Sequence, residues 1–66
     1  MKLKNHIEKK INEAGFTKGH VANYVGVSVK QLWNWTSGRS YPTVPKLFLL
    51  AELLNCKIED LYEVIN

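Results

Sequence analysis

Glycine divides this chain before anything else does. Gly15, Gly26 and Gly38 each close a short run of apolar-patterned sequence, and Thr17 and Ser28 stand two residues after the first two. A glycine takes the left-handed backbone that ends a helix, and a hydroxyl accepts from the free N–H groups that begin the next. A chain cut this way is held to short helices. Leu3, Ile7, Ile11 and Ala14 form the stripe of a first helix, and Val21, Ala22 and Val25 cluster in a second. Leu32 and Trp35 share one face of a third, capped by Ser28. "RSYP" reads as a loop. Thr43 caps a fourth helix with Pro45 early in it, and Leu47, Leu50, Ala51 and Leu54 are its buried stripe. Asn55 ends it, and "KIEDLYEVI" is a last short helix whose cap position, Lys57, is poor.

The stretch "QLWNWTSG" fixes the phase of the third helix. Trp33 and Trp35 are two apart, so on a helix they point ~200° from each other and cannot both enter one core. Trp35 shares its face with Leu32 and is the core residue; Trp33 points outward. The expectation is five short helices, no strand, no repeat and no linker, forming one compact all-α domain over residues 1–66.

Composition narrows the function classes. Sixty-six residues bury a modest core, which a dimer would supplement. Cys56 is the only cysteine, so there is no internal disulfide and no Cys/His set for a structural zinc, and a reducing cytoplasm is the expected setting. "MKLKNHIEKK" lacks the apolar run of a signal peptide, and "LFLLA" is far too short to cross a bilayer. Charge is unevenly spread. Residues 1–48 hold eight cations against Glu8 and Glu13, residues 49–66 hold Lys57 against four acids, and no acid lies between Glu13 and Glu52. That middle segment offers positive charge to a polyanion.

Residues 17–37 have the spacing of two helices joined by a tight turn. Ala22 lies where the helix backbones approach most closely, and Gly26 supplies the turn. Val21, Val25, Val27, Leu32 and Trp35 fill the wedge between the helices. The segment "TKGHVANYVGVSVKQLWNWTSG" resembles the Cro and phage-repressor (XRE-type) helix-turn-helix family. Counted from Lys18, its motif positions read Val21, Ala22, Val25, Gly26, Val27, Leu32 and Trp35, and all seven match. "GRSYP" and "LAELL" match as well, so the resemblance spans nearly the whole chain and implies a five-helix, lambda-repressor-like domain. Three departures stand out. Ile11 and Thr36 occupy the positions where the family often pairs Arg with Glu, Gly19 lies inside helix 2, and Trp33 replaces a residue that is usually polar. Loss of both ion-pair partners together strands no buried charge. Gly19 either lets a phosphate approach or is a tolerated defect.

What the resemblance implies is sequence-specific binding to double-stranded DNA, with helix 3 (about 28–37) in the major groove. With Leu32 and Trp35 inward, Val29, Lys30, Trp33 and Asn34 face base edges: Lys30 to guanine, Asn34 to adenine, Val29 to a thymine methyl. Trp33 meets a sugar or thymine methyl, or else a protein partner. Phosphate-contacting or flanking positions are Thr17, Lys18, Ser28, Gln31, Ser37, Arg39, Ser40 and Tyr41, with Lys46 a weaker candidate. Gln31 reads equally as contact or plain exposure. His20 has no second metal ligand, Cys56 reads as a small core hydrophobe, and no nucleophile–base constellation points to catalysis. The expectation is a small phage or mobile-element type repressor, without cofactor or small-molecule ligand. It would act on its operator as a homodimer formed in solution or only on DNA. Phe48, Leu49, Leu53, Tyr62, Val64 and Ile65 are the apolar positions available for that contact. The rival is an interaction module, antirepressor or antitoxin-like, anchored by Trp33.

Overall fold

Each helix ends or begins where the local chemistry asks for it. The computed structural model describes residues 1–66. Its elements run β1 (Lys2–Asn5), α1 (Ile7–Ala14), α2 (Lys18–Val25), α3 (Val29–Thr36), α4 (Val44–Leu53), α5 (Ile58–Leu61) and β2 (Tyr62–Ile65). Thr17 Oγ1 accepts from the His20 N–H at 3.1 Å and Ser28 Oγ accepts from the Gln31 N–H at 3.0 Å, so two of the three predicted N-caps form. Between α2 and α3, Gly26 has φ +84°, and its N–H and that of Val27 both donate to the Ala22 carbonyl at 2.9 Å. A Cβ there would also stand 3.3 Å from Lys46 Nζ, which donates to the Val25 carbonyl at 2.8 Å. Lys46 of α4 thus closes the open C-terminal end of α2, with its charge set against the negative end of that helix.

Five helices are present as expected, and the two ends of the chain depart from the expectation. β1 and β2 form a two-stranded antiparallel sheet in which Lys2 faces Ile65, Leu3 faces Val64, Lys4 faces Glu63 and Asn5 faces Tyr62. Residues 2–5 therefore do not extend the first helix. Leu3 is 37% exposed beside Val64, and Ala14 is exposed too, so the buried stripe of α1 is Ile7 and Ile11 alone. The last helix stops at Leu61. The reason is pairing: strand hydrogen bonds from a segment sixty residues away satisfy the backbone that a longer helix would have satisfied locally. Asn5 anchors the start of α1, its Oδ1 accepting from the Ile7 N–H at 2.8 Å while its Nδ2 donates to the Trp35 carbonyl. His6 adds a ring contact to Glu63 at 3.0 Å. Two smaller readings also change. Thr43 makes no side-chain cap bond, and at Lys57 the cap is made from the other side, by Asp60 Oδ2 accepting from its N–H at 3.0 Å.

The core lies between the helices: Ile7, Ile11, Val21, Ala22, Val25, Leu32, Trp35, Leu50, Ala51, Leu54 and Leu61 are buried. Val27, Leu47, Leu49, Leu53, Cys56 and Tyr62 pack around them, half-buried. Asn55 takes φ +52° after Leu54, ending α4 as its sequence suggests.

Candidate functional site

α3 carries large apolar side chains on both of its sides. Inward, Leu32 and Trp35 are 0% and 2% exposed; outward, Val29 and Trp33 are 51% and 45% exposed. That contrast settles the phase of the helix as the tryptophan spacing required. Lys30 is exposed beside them and makes no ion pair, and Asn34 is half-buried one residue beyond Trp33. The four positions predicted to face outward together, Val29, Lys30, Trp33 and Asn34, thus sit on one strip of helix surface. Gln31 lies half-buried at its flank.

The C-terminal end of α3 is tightly wound back on itself. The Asn34 carbonyl accepts from the backbone N–H of Arg39 at 2.9 Å and of Ser40 at 3.2 Å, and from the Ser37 hydroxyl at 3.3 Å. Thr36 Oγ1 donates to the Trp33 carbonyl at 3.1 Å. This winding carries Arg39 to the outward strip, where its guanidinium carbon lies 5.1 Å from the centroid of the Trp33 ring. Ser40 is half-buried, and its Oγ is enclosed without a protein partner. Tyr41 is exposed but leans toward the sheet, 5.7 Å from the Tyr62 ring.

At the start of α2 the predicted anion-facing residues are present, one of them already engaged. Lys18 Nζ lies 2.6 Å from Glu8 Oε1 of α1. Thr17 holds its helix N–H and keeps its own hydroxyl proton free to donate. Lys46, the weaker phosphate candidate, is turned inward onto Val25. Gly19 is in open space, a Cβ there meeting only Thr17 Oγ1 at 4.0 Å. His20 is exposed, with its ring 5.0 Å from that of Phe16. Ile11 is in the core and Thr36 half-buried, so the ion-pair positions of related sequences are taken by an apolar and a hydroxyl side chain.

Perturbed titrations fall away from this strip. Burial pushes the Tyr62 phenol up to about 12. The hydrogen bond that Tyr24 donates to Glu52 Oε1 at 2.6 Å raises its phenol, and burial raises the Cys56 thiol. His6 holds the Glu63 carboxyl below its ordinary value through their hydrogen bond. None of these groups is on α3. The strip's electrostatic character comes from Lys30 and Arg39, on a stretch of chain that has no acid. The Trp33–Arg39 contact and the inward turn of Lys46 do not follow from the sequence alone. The residue types were visible, but which of several cations meets an indole or a helix end depends on the path of the backbone.

Residues 7–61 match the family model described as helix-turn-helix. Among solved structures, one similar chain is a candidate DNA-binding protein from Bacteroides fragilis. It is 29% identical with a TM-score of 0.86, over 94% of this chain and 100% of that one. A transcriptional regulator from Listeria innocua superposes with a TM-score of 0.80 at 21% identity, over 92% of this chain and 57% of that one, and shows the shared fold. No curated protein matches the chain.

Proposed function

The chain belongs to the helix-turn-helix family, and from that premise we propose that it is a sequence-specific regulator of transcription that binds double-stranded DNA. In this reading α3 enters the major groove as a small phage-type repressor would place it, in the cytoplasm, occluding a promoter. The observation that carries it is the outward strip of α3. Lys30 and Asn34 offer the donor and donor–acceptor groups that match guanine and adenine edges, and Val29 an apolar contact for a thymine methyl. Trp33 and Arg39 extend the strip at one end. Thr17, Lys18, Ser28, Ser37, Ser40 and Tyr41 flank it at the helix starts and the following loop, where phosphates would be held, with Gln31 at the edge.

A second copy would read the other half of a two-fold site, about one helical turn (~34 Å) away. Of the apolar positions available for pairing, Leu49, Leu53 and Tyr62 are half-buried against the core, whereas Phe48, Val64 and Ile65 are exposed. The exposed three are the better contact. Trp33 also suits a protein interface, yet a guanidinium resting on its ring sets positive charge on that strip, which favours a polyanion as partner.

Selection of preferred duplexes from a randomised pool tests the proposal, followed by titration at several salt concentrations. Specific binding is expected ~10³-fold or more above non-specific, falling by about 0.9 log units per log salt for each phosphate contact. Lys30→Ala or Asn34→Ala should cost ~1–3 kcal/mol and relax one or two base pairs. Failure to enrich any duplex would sink the regulator reading, and tight binding to a protein instead would put the interaction module in its place.

A further inference from the structure

Arg39 follows α3, and its position in the chain alone groups it with the phosphate contacts. The backbone places it elsewhere. Its N–H donates to the Asn34 carbonyl at 2.9 Å, which draws the residue back against the helix, and its guanidinium carbon lies 5.1 Å from the Trp33 ring centroid. The charge therefore rests on the outward strip of α3, beside Trp33 and Asn34, and not out along the loop. No carboxylate pairs with it: the ion pairs of the molecule are His6–Glu63, Lys10–Glu13 and Lys18–Glu8. Its N–H donors are uncommitted. A guanidinium held over an indole keeps its N–H donors free while its position is restrained, so less freedom is lost when those donors meet a planar partner.

We propose that Arg39 is a specificity-determining residue that donates to O6 and N7 of a guanine in the major groove, and that Trp33 is the residue that positions it. The assignment rests on the DNA-binding reading above. Guanine offers two acceptors in one plane, the partner for which a pre-oriented arginine fork is best suited. Lys30 supplies a second, mobile cation one turn back along the helix, so the two would read different base pairs. On this view the tryptophan that departs from the family pattern acts mainly as a platform under Arg39.

The probe is the preferred duplex recovered from the randomised pool, with each G·C pair replaced in turn. Arg39→Ala should weaken binding to that duplex about tenfold or more and flatten the preference at one G·C pair while leaving the others. Replacing that guanine by 7-deazaguanine, which keeps base pairing but lacks N7, should weaken the unaltered protein and leave Arg39→Ala unmoved. Trp33→Ala should lose the same single preference and cost nothing further in the Arg39→Ala background, whereas Trp33→Phe should largely retain it. Both side chains are exposed, so the variants should melt with the parent, as circular dichroism will check. A preferred duplex that survives, together with equal weakening of every duplex by Arg39→Ala, makes Arg39 a phosphate contact and overturns the assignment alone. Additive losses from Trp33→Ala and Arg39→Ala overturn it as well. With no preferred duplex at all, this assignment falls together with the regulator reading.

Discussion

At the scale of single residues, the two tryptophans separate stability from recognition. Trp35 is 2% exposed in the core, so Trp35→Ala leaves a cavity and should cost roughly 3–5 kcal/mol in denaturant unfolding. Trp33→Ala should move stability by less than about 1 kcal/mol, because the side chain is exposed and its one specific contact is with the exposed Arg39. Unfolding of that variant would show that the helix phase has been misread. Gly19 offers an equally sharp comparison. Its Cβ position is open, so Gly19→Ala should stabilise α2 by about 0.5–1 kcal/mol in thermal unfolding. DNA affinity then separates the two readings of that glycine: unchanged for a tolerated defect, reduced if a phosphate comes close to its backbone.

The decisive feature at the scale of elements is Lys46. From α4 it donates to the last carbonyl of α2 and stands against Gly26, so one side chain links the helix that leads into the turn with the helix that backs it. Lys46→Met keeps most of the apolar stem and removes the bond, and should lower stability by about 1–2 kcal/mol. Its effect on the salt dependence of DNA binding should be nil, whereas Lys18→Ala should reduce the slope by about one contact. A reduced slope in Lys46→Met would mean that the lysine leaves α2 to hold a phosphate. The terminal strands are elements of a different kind. Leu3 and Val64 face each other across the sheet but remain exposed, so the pairing ties the ends of the chain together while burying little.

For the molecule as a whole, charge and titration separate by region. The four acids after residue 48 lie in α4, α5 and β2, and the strip on α3 is left with its cations. High pH probes the terminal sheet, where Tyr62 pairs with Asn5. Burial lifts the Tyr62 phenol from its ordinary 10.0 to about 12. The folded state therefore holds this proton more tightly than the unfolded chain, and the stability this provides is complete below pH 10 and is lost as pH rises toward 12. Tyr24, raised by its bond to Glu52, acts in the same sense. Unfolding midpoints measured from pH 9 upward should fall less steeply in Tyr62→Phe than in the parent. Because the Tyr62 hydroxyl is enclosed without a protein partner, that variant should be unchanged or more stable by up to about 1 kcal/mol at neutral pH. An equally steep fall would mean that Tyr62 ionises as freely as an exposed phenol.

What the sequence determined by itself was everything governed by neighbours a few residues apart. Helix ends at Thr17, Gly26, Ser28 and Asn55, the inward stripe of the central helices and the opposite directions of Trp33 and Trp35 follow from local hydrogen bonding and from the 3.6-residue period. Only the tertiary structure decided matters that join distant positions. Lys2–Asn5 holds a single apolar residue, Leu3, in a run too short to distinguish a strand from the edge of a helix, and it becomes a strand because Tyr62–Ile65 lies alongside it. Likewise, Lys46 and Arg39 look alike in a charge count. One is drawn to a helix end and the other to an indole, since a long flexible cation goes where the folded backbone places a partner within its reach.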